Sequence, residues 1–289
     1  MKISTLIYSI RICLLGLLGI SSVATAQEKG LLYKIEKQGI QPSYLFGTIH
    51  LMPNNEFEIK ESVEKAFKAS DLIVLEIDMD DPNLATNMMQ HMMMDGDSTL
   101  EQYFSDADYQ KLDEELQTHA GMGVAMINKM KPLMVMSMLV KKYVGAQPAS
   151  YELSFVKLSE ENKKEILGLE TVADQMAIFD EIPYQAQADD ISKMLNDEKR
   201  YTTLFKEMIK LYKAEDVEAL YNIFTDYYGD QGQVLDLVLH DRNRKWIPKI
   251  GEYAKEQSVF FGVGAGHLGG EEGVLNLLEE AGYTVTPVP

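Results

Sequence analysis

The sequence predicts an α/β fold, a mixed sheet built from the N- and C-terminal segments with a large helical insertion between them. Three observations carry this. A β-α-β pattern falls near residues 44–77, a strand followed by a helical face recurs at residues 259–281, and the stretch from about 82 to 257 reads mostly as helix.

In chain order, Leu31–Glu36 and Tyr44–Phe46 read as a first pair of strands, separated by the turn-like Gly39–Pro42. Ile59, Val63, Ala66 and Phe67 follow the i, i+4, i+7, i+8 spacing of one helix face. Leu72-Ile73-Val74-Leu75-Glu76-Ile77 is apolar on both faces, as in a buried parallel strand. A length of roughly 35 residues suits a single crossover unit. Within the helical stretch, Gly145–Ser150 is a break, and Glu165–Glu170 is a short strand ending in an acid. Val259–Val263 is the next strand. Val274, Leu277, Leu278 and Ala281 form a helical face that Gly282 can stop. Tyr283–Thr286 closes the sheet.

The chain has 289 residues, ample for one large core. Its formal net charge of −18 argues against nucleic-acid binding, which needs a basic footprint to neutralise phosphates. Residues 1–26 read as a signal peptide: Lys2 and Arg11 precede the apolar run Ile12–Ile20, and Ala24-Thr25-Ala26 supplies a small-residue cleavage pattern. Cleavage would remove those two positive charges and take the net charge from −18 to −20. The apolar run is shorter than the roughly 20 residues of a membrane span, so the expected mature chain, residues 27–289, has no membrane span and is periplasmic or secreted. The one cysteine, Cys13, lies in that leader. The mature chain therefore has no disulfide, thiolate ligand or cysteine nucleophile.

Two G-x-x-H segments, each after an apolar strand, carry the chemistry: Gly47-Thr48-Ile49-His50 and Gly264-Ala265-Gly266-His267. Glycine past a strand permits a sharp turn and close approach of a ligand. Each histidine then stands beyond the carboxyl end of its strand, where open α/β sheets bind ligands. Glu76 ends the next strand, and the β-α-β crossover should bring it beside His50. Two imidazoles and a carboxylate suit a divalent-metal site or a metal-free acid–base pair. Taken singly, each histidine has a structural reading as well.

Gly47-Thr48-Ile49-His50-Leu51 with Pro53, Leu75-Glu76, Gly168-Leu169-Glu170-Thr171 with Gln175, Arg242-Asn243 with Trp246, and Gly264-Ala265-Gly266-His267-Leu268 with Gly282-Tyr283 together resemble the TraB/GumN family. The blocks occur in family order across nearly the whole mature chain. That family includes the TIKI metalloproteases and is distantly similar to the erythromycin-esterase and ChaN-like proteins. The resemblance implies a two-G-x-x-H active site, a divalent metal and cleavage of peptide bonds. Glu152 departs from the pattern, which usually has an aspartate there.

On this reading His50, Glu76 and His267 are the metal ligands. Their nitrogen and oxygen donors suit manganese, cobalt or zinc, and such a metal would activate water and polarise the scissile carbonyl. Glu170 is a further ligand, a general base or a carboxylate paired with an arginine. Arg242 is a fork of donors for an oxyanion or a substrate carboxylate, or one half of a helix-surface salt bridge. Asn243 is a hydrogen-bonding partner for the same substrate group, or a cap. Activity should then fall below about pH 6.5, because both histidines must be neutral to hold a metal. The function expected is an exported metal-dependent hydrolase of peptide bonds, or of a small ester or amide substrate. The alternatives are a metal-independent His/Glu esterase-like hydrolase and a non-catalytic, peptide-sequestering protein. Met88–Met94 has the composition of a copper(I) motif. With Met122, Met126, Met130, Met134, Met136 and Met138 it reads better as a flexible apolar lid or substrate groove. His91, His119 and His240 lie in helical segments, and His119 and His240 read as surface or packing residues.

Overall fold

A computed structural model describes residues 29–229 and 232–289; the expected signal peptide and Cys13 lie outside them. Among the described residues the strands are β1 Leu32–Glu36, β2 Ser43–Thr48, β3 Met52–Pro53, β4 Leu72–Leu75, β5 Pro148–Ala149, β6 Ile166–Gly168, β7 Val259–Gly264 and β8 Thr284–Pro287. Six form one mixed sheet in the order β6-β4-β7-β2-β1-β8, and β3 pairs with β5 apart from it. The four strands β6, β4, β7 and β2 are mutually parallel, whereas β1 is antiparallel to β2 and to β8. The α/β class and the mixed sheet follow the sequence pattern closely.

The centre of the sheet is set by composition. Every residue of β4 is buried, and Val259, Phe260, Phe261 and Val263 of β7 are wholly so, which is the signature of parallel strands covered on both faces. Strand β7 thus lies in the middle of the sheet, between β4 and β2, while β8 takes the edge. That corrects one expectation: the crossover through α1, Glu61–Ala69, does not place Glu76 on a strand adjoining that of His50.

The long segment read as one insertion divides between two cores. The remaining helices are α2 Leu84–His91, α3 Asp106–Ala120, α4 Pro132–Leu139, α5 Lys141–Val144, α6 Tyr151–Asn162, α7 Val172–Asp180, α8 Tyr184–Asn196, α9 Glu198–Lys213, α10 Val217–Tyr228, α11 Gly232–Leu235, α12 Asp241–Glu256 and α13 Val274–Glu280. Tyr151 and Phe155 of α6 and Trp246, Ile250 and Ala254 of α12 sit at four-residue intervals and join the sheet core. Phe67, Phe155 and Phe260 interlock there with ring centroids 5.1–5.5 Å apart. A second core gathers Leu112 and Leu116 of α3, Val135 and Leu139 of α4, and Ile191 of α8. Met94, Met122, Met130, Met136 and Met138 also pack in this second core. No helix among the described residues is long and apolar enough to cross a membrane.

Candidate active site

Register brings the strand-end residues together. Thr48 of β2 lies opposite Gly264 of β7, and Leu75 of β4 lies opposite Gly262. His50, Glu76 and His267 therefore follow the carboxyl ends of three neighbouring parallel strands, and all three line one cavity of about 350 Å³. A second cavity of about 320 Å³ also has His50, Leu51 and Glu76 in its lining, with Glu152 and Gln175.

Arg242 holds the buried side of the site. Its side chain is 8% exposed, and its Nη2 donates to Glu76 Oε2 at 2.5 Å. It also donates to both oxygens of Glu170 and, through Nη1, to the Val238 carbonyl and His267 Nε2, each at 3.1 Å. The guanidinium lies over the Trp246 ring, 4.8 Å from its centroid. Gln175 ties the two carboxylates by donating to Glu76 at 3.2 Å and to Glu170 at 3.0 Å, and the Trp246 indole donates to Glu170 at 3.3 Å. Burial works to raise the Glu76 pKa. The opposing charge of Arg242, then the neighbouring His267 and His50 and the Gly264 N–H at 2.8 Å, hold it well below the usual carboxylate range.

His267 is fixed as a neutral ring. Its Nδ1–H donates to Asn243 Oδ1 at 2.6 Å, so the lone pair stands on Nε2 and accepts from Arg242. Burial and the Arg242 charge push its pKa down to about 3. Asn243 uses its amide donors on the carbonyls of His267 and Glu272. Neither Arg242 nor Asn243 is thus free in this arrangement to bind a substrate, and the surface reading of Arg242 fails as well, since it is buried. Glu170 lines neither cavity and is engaged by Arg242, Gln175 and Trp246. Arg242, Asn243 and Glu170 hold Glu76 and His267 in place.

His50 differs. Its side chain is 67% exposed inside the concave cleft, and its Nδ1–H donates to Glu152 Oε1 at 2.9 Å, leaving Nε2 open. Burial opposes the charge on the ring, but the hydrogen bond and charge of Glu152, aided by Glu76, push its pKa up to about 9. Glu152 is itself fixed by the hydroxyls of Thr48 at 2.6 Å and Ser150 at 2.9 Å. Sequence reading left the role of Glu152 open; its signal was its position among the matched blocks, and its partner came only with the fold. The glycines also serve packing more than a ligand. A Cβ on Gly47 would stand 2.7 Å from Leu268, and one on Gly266 would stand 2.5 Å from the Phe224 ring.

The donors suit a divalent metal in type but not in placement. His267 Nε2, the nitrogen a metal would need, already accepts from a permanent cation, and both Glu76 oxygens are engaged. Among the described residues no three His, Cys, Asp or Glu side chains converge as a metal site. Of Met88–Met94, Met122, Met126, Met130, Met134, Met136 and Met138, none lines either cavity, although Ser137 of the same α4 helix does. His240 packs internally, accepting from Tyr221 at 3.1 Å and donating to Asp236 at 2.8 Å.

A mixed sheet with histidines and a carboxylate at the ends of its parallel strands defines an α/β protein with a cleft at those ends. The model of the TraB/PrgY/gumN family matches residues 31–287, so the chain belongs to that family. No curated protein and no solved structure matches it.

Proposed function

We propose that the chain is an exported hydrolase of acyl bonds, a peptide bond first and a small ester or amide otherwise, in which His50 and Glu76 face the substrate. The observation that supports this best is that two groups on one cavity wall each face an opposite charge: His50 lies 2.9 Å from Glu152 and Glu76 lies 2.5 Å from Arg242. These partners favour the imidazolium of His50 and the carboxylate of Glu76.

In this mechanism Glu76 orients a water against the substrate carbonyl, and the Nε2–H of His50 donates to the carbonyl oxygen or the leaving atom. Water adds to the carbonyl carbon and the C–N or C–O bond breaks. The imidazolium proton passes to the leaving atom, and the proton lost by the water restores the imidazolium. Arg242 stays in place throughout and is the resident cation of the site.

The second reading is metal dependence, favoured by the nitrogen and oxygen donor set of His50, Glu76 and His267 and by the resemblance to metalloproteases. A manganese, cobalt or zinc ion there would supply Lewis-acid activation of the carbonyl, and the guanidinium of Arg242 would have to leave His267 first. One experiment separates the readings. Purified mature protein is assayed on a peptide library and an ester and amide panel, with and without chelator, beside metal analysis. Turnover that survives chelation supports the first reading. Turnover lost on chelation and restored by one of those ions supports the second. Peptide binding with no turnover on any substrate overturns both and leaves a sequestering protein.

A further inference from the structure

We infer that the cavity of about 350 Å³ beside His50 is built to take a neutral, apolar group of the substrate, attached near the bond that His50 faces. The position of that bond rests on the hydrolase reading; the binding of the apolar group does not.

The lining carries the inference. Beyond the polar end, the walls are formed by Val140, Phe205, Met208, Ile209, Phe224 and Leu239 among others, and the lining from the described residues contains no lysine or arginine. The other polar side chains of the lining are turned onto the protein itself. Thr48 donates to Glu152, the Tyr212 hydroxyl donates to the Gly47 carbonyl at 2.8 Å, and Ser137 donates to the Met134 carbonyl at 2.7 Å. A charged or strongly polar group would therefore enter without a partner and lose its hydration, which is costly. An apolar group loses nothing there and gains by burial.

Size and rigidity point the same way. An apolar cavity of roughly 150 Å³ already accommodates benzene, so this one has room for a large aromatic group or an extended alkyl chain. Phe205 is stacked on Tyr143 with centroids 4.8 Å apart and planes 8° apart, and Phe224 fills the space above Gly266. The walls are thus braced by neighbouring rings and backbone. One end is apolar and closed to charge, and the other presents His50, Glu76 and His267, so the occupant is the apolar part of a molecule whose polar bond lies at the strand ends. An apolar peptide side chain and an acyl chain share this chemistry.

The test is a binding measurement that needs no turnover. The mature chain and its Met208→Trp and Met208→Ala variants are titrated, by displacement of the apolar fluorophore N-phenylnaphthylamine, with two neutral series. One series is n-alkyl acetamides of increasing chain length, and the other is N-acetyl amino-acid amides running from alanine through leucine to tryptophan. Affinity is expected to rise about four-fold per added methylene until the cavity is full. The plateau should come at a shorter chain in Met208→Trp and at a longer one in Met208→Ala. A rise confined to the alkyl series assigns an acyl chain; a rise in the amino-acid series assigns a peptide side chain. Affinity that is flat with apolar size, or one plateau shared by all three proteins, overturns the inference. Circular dichroism checks folding, and if Met208→Trp does not fold, Met208→Ala against the unaltered chain decides. Size-dependent binding without hydrolysis of any substrate would sustain the pocket and sink the hydrolase reading.

Discussion

His50 and Glu152 are the pair through which the proposed reaction takes its pH dependence. The ring's pKa is raised, to about 9, so the ion pair contributes fully below the ordinary histidine value near 6.5 and is lost as pH rises through about 9. If the imidazolium is the proton donor, turnover should persist below pH 6.5 and fall on the alkaline side. Metal ligation by the same histidine gives the opposite acid limb, so one pH–rate profile separates the two. Glu152→Gln keeps the shape of the partner and removes its charge. It should move the His50 titration, followed by NMR of the ring, down by on the order of two pH units. An unmoved titration would show that Glu152 is not what charges the ring. Arg242 poses a different problem, because it is a buried cation between two buried carboxylates. Arg242→Met should cost roughly 3–5 kcal/mol in urea unfolding, since Glu76 and Glu170 are left without their counter-charge. Glu76→Gln leaves Arg242 paired with Glu170 and should abolish turnover in a folded protein. The depressed pKa of Glu76 adds an acid limit: its contribution to stability is present above the ordinary glutamate value and is lost as pH falls below it.

Among the elements, α12 and the turn after β7 carry the site. Arg242, Asn243 and Trp246 are held on one side of α12, where Arg242 reaches back to the Val238 carbonyl in the π-helical turn Asp236–His240. The short helical turn Ala265–His267 then sets His267 against them. This turn lies so close to α10 that Gly266 has no room for a methyl group beside Phe224. Gly266→Ala should therefore destabilise by about 1–3 kcal/mol through overpacking. If the ring swings away to make room, it should narrow the apolar cavity as well. Thermal melting measures the first effect, and affinity for the longest alkyl acetamide measures the second. A variant with unchanged melting and unchanged affinity would show that the contact is slack.

For the whole molecule, the two cores divide the labour. The sheet core holds His50, Glu76 and His267 at its strand ends and packs Ile209 of the apolar cavity, whereas Val140 and Phe205 of that cavity's wall pack in the second core. Leu116→Ala lies in the second core and should cost about 2–5 kcal/mol. It should raise KM more than it lowers kcat, because it loosens a wall and leaves the strand ends intact. An equal fall in kcat with KM unchanged would mean that the helical layer shapes the reacting groups themselves. Export is tested separately: mass spectrometry of protein recovered from its native host should give a chain beginning at Gln27, and a full-length cytoplasmic product would refute it.

The sequence by itself determined the α/β class, the strand segments and the convergence of His50, Glu76 and His267. Each of these rests on local pattern: apolar runs mark buried strands, and residues just past parallel strands gather at one end of a sheet. The order of those strands was not legible, because nothing local tells β7 to enter between β4 and β2. The same holds for the divided helical segment, whose helices show an apolar face without naming the core that buries it. Most of the site's electrostatics belonged to the tertiary structure alone. Arg242 reads in the sequence as a surface residue or a substrate clamp, and only burial beside Glu76, Glu170 and His267, from segments far apart in the chain, makes it the cation of the site. Glu152 became the partner of His50 for the same reason: a charge acts through distance in space, and the fold decides that distance.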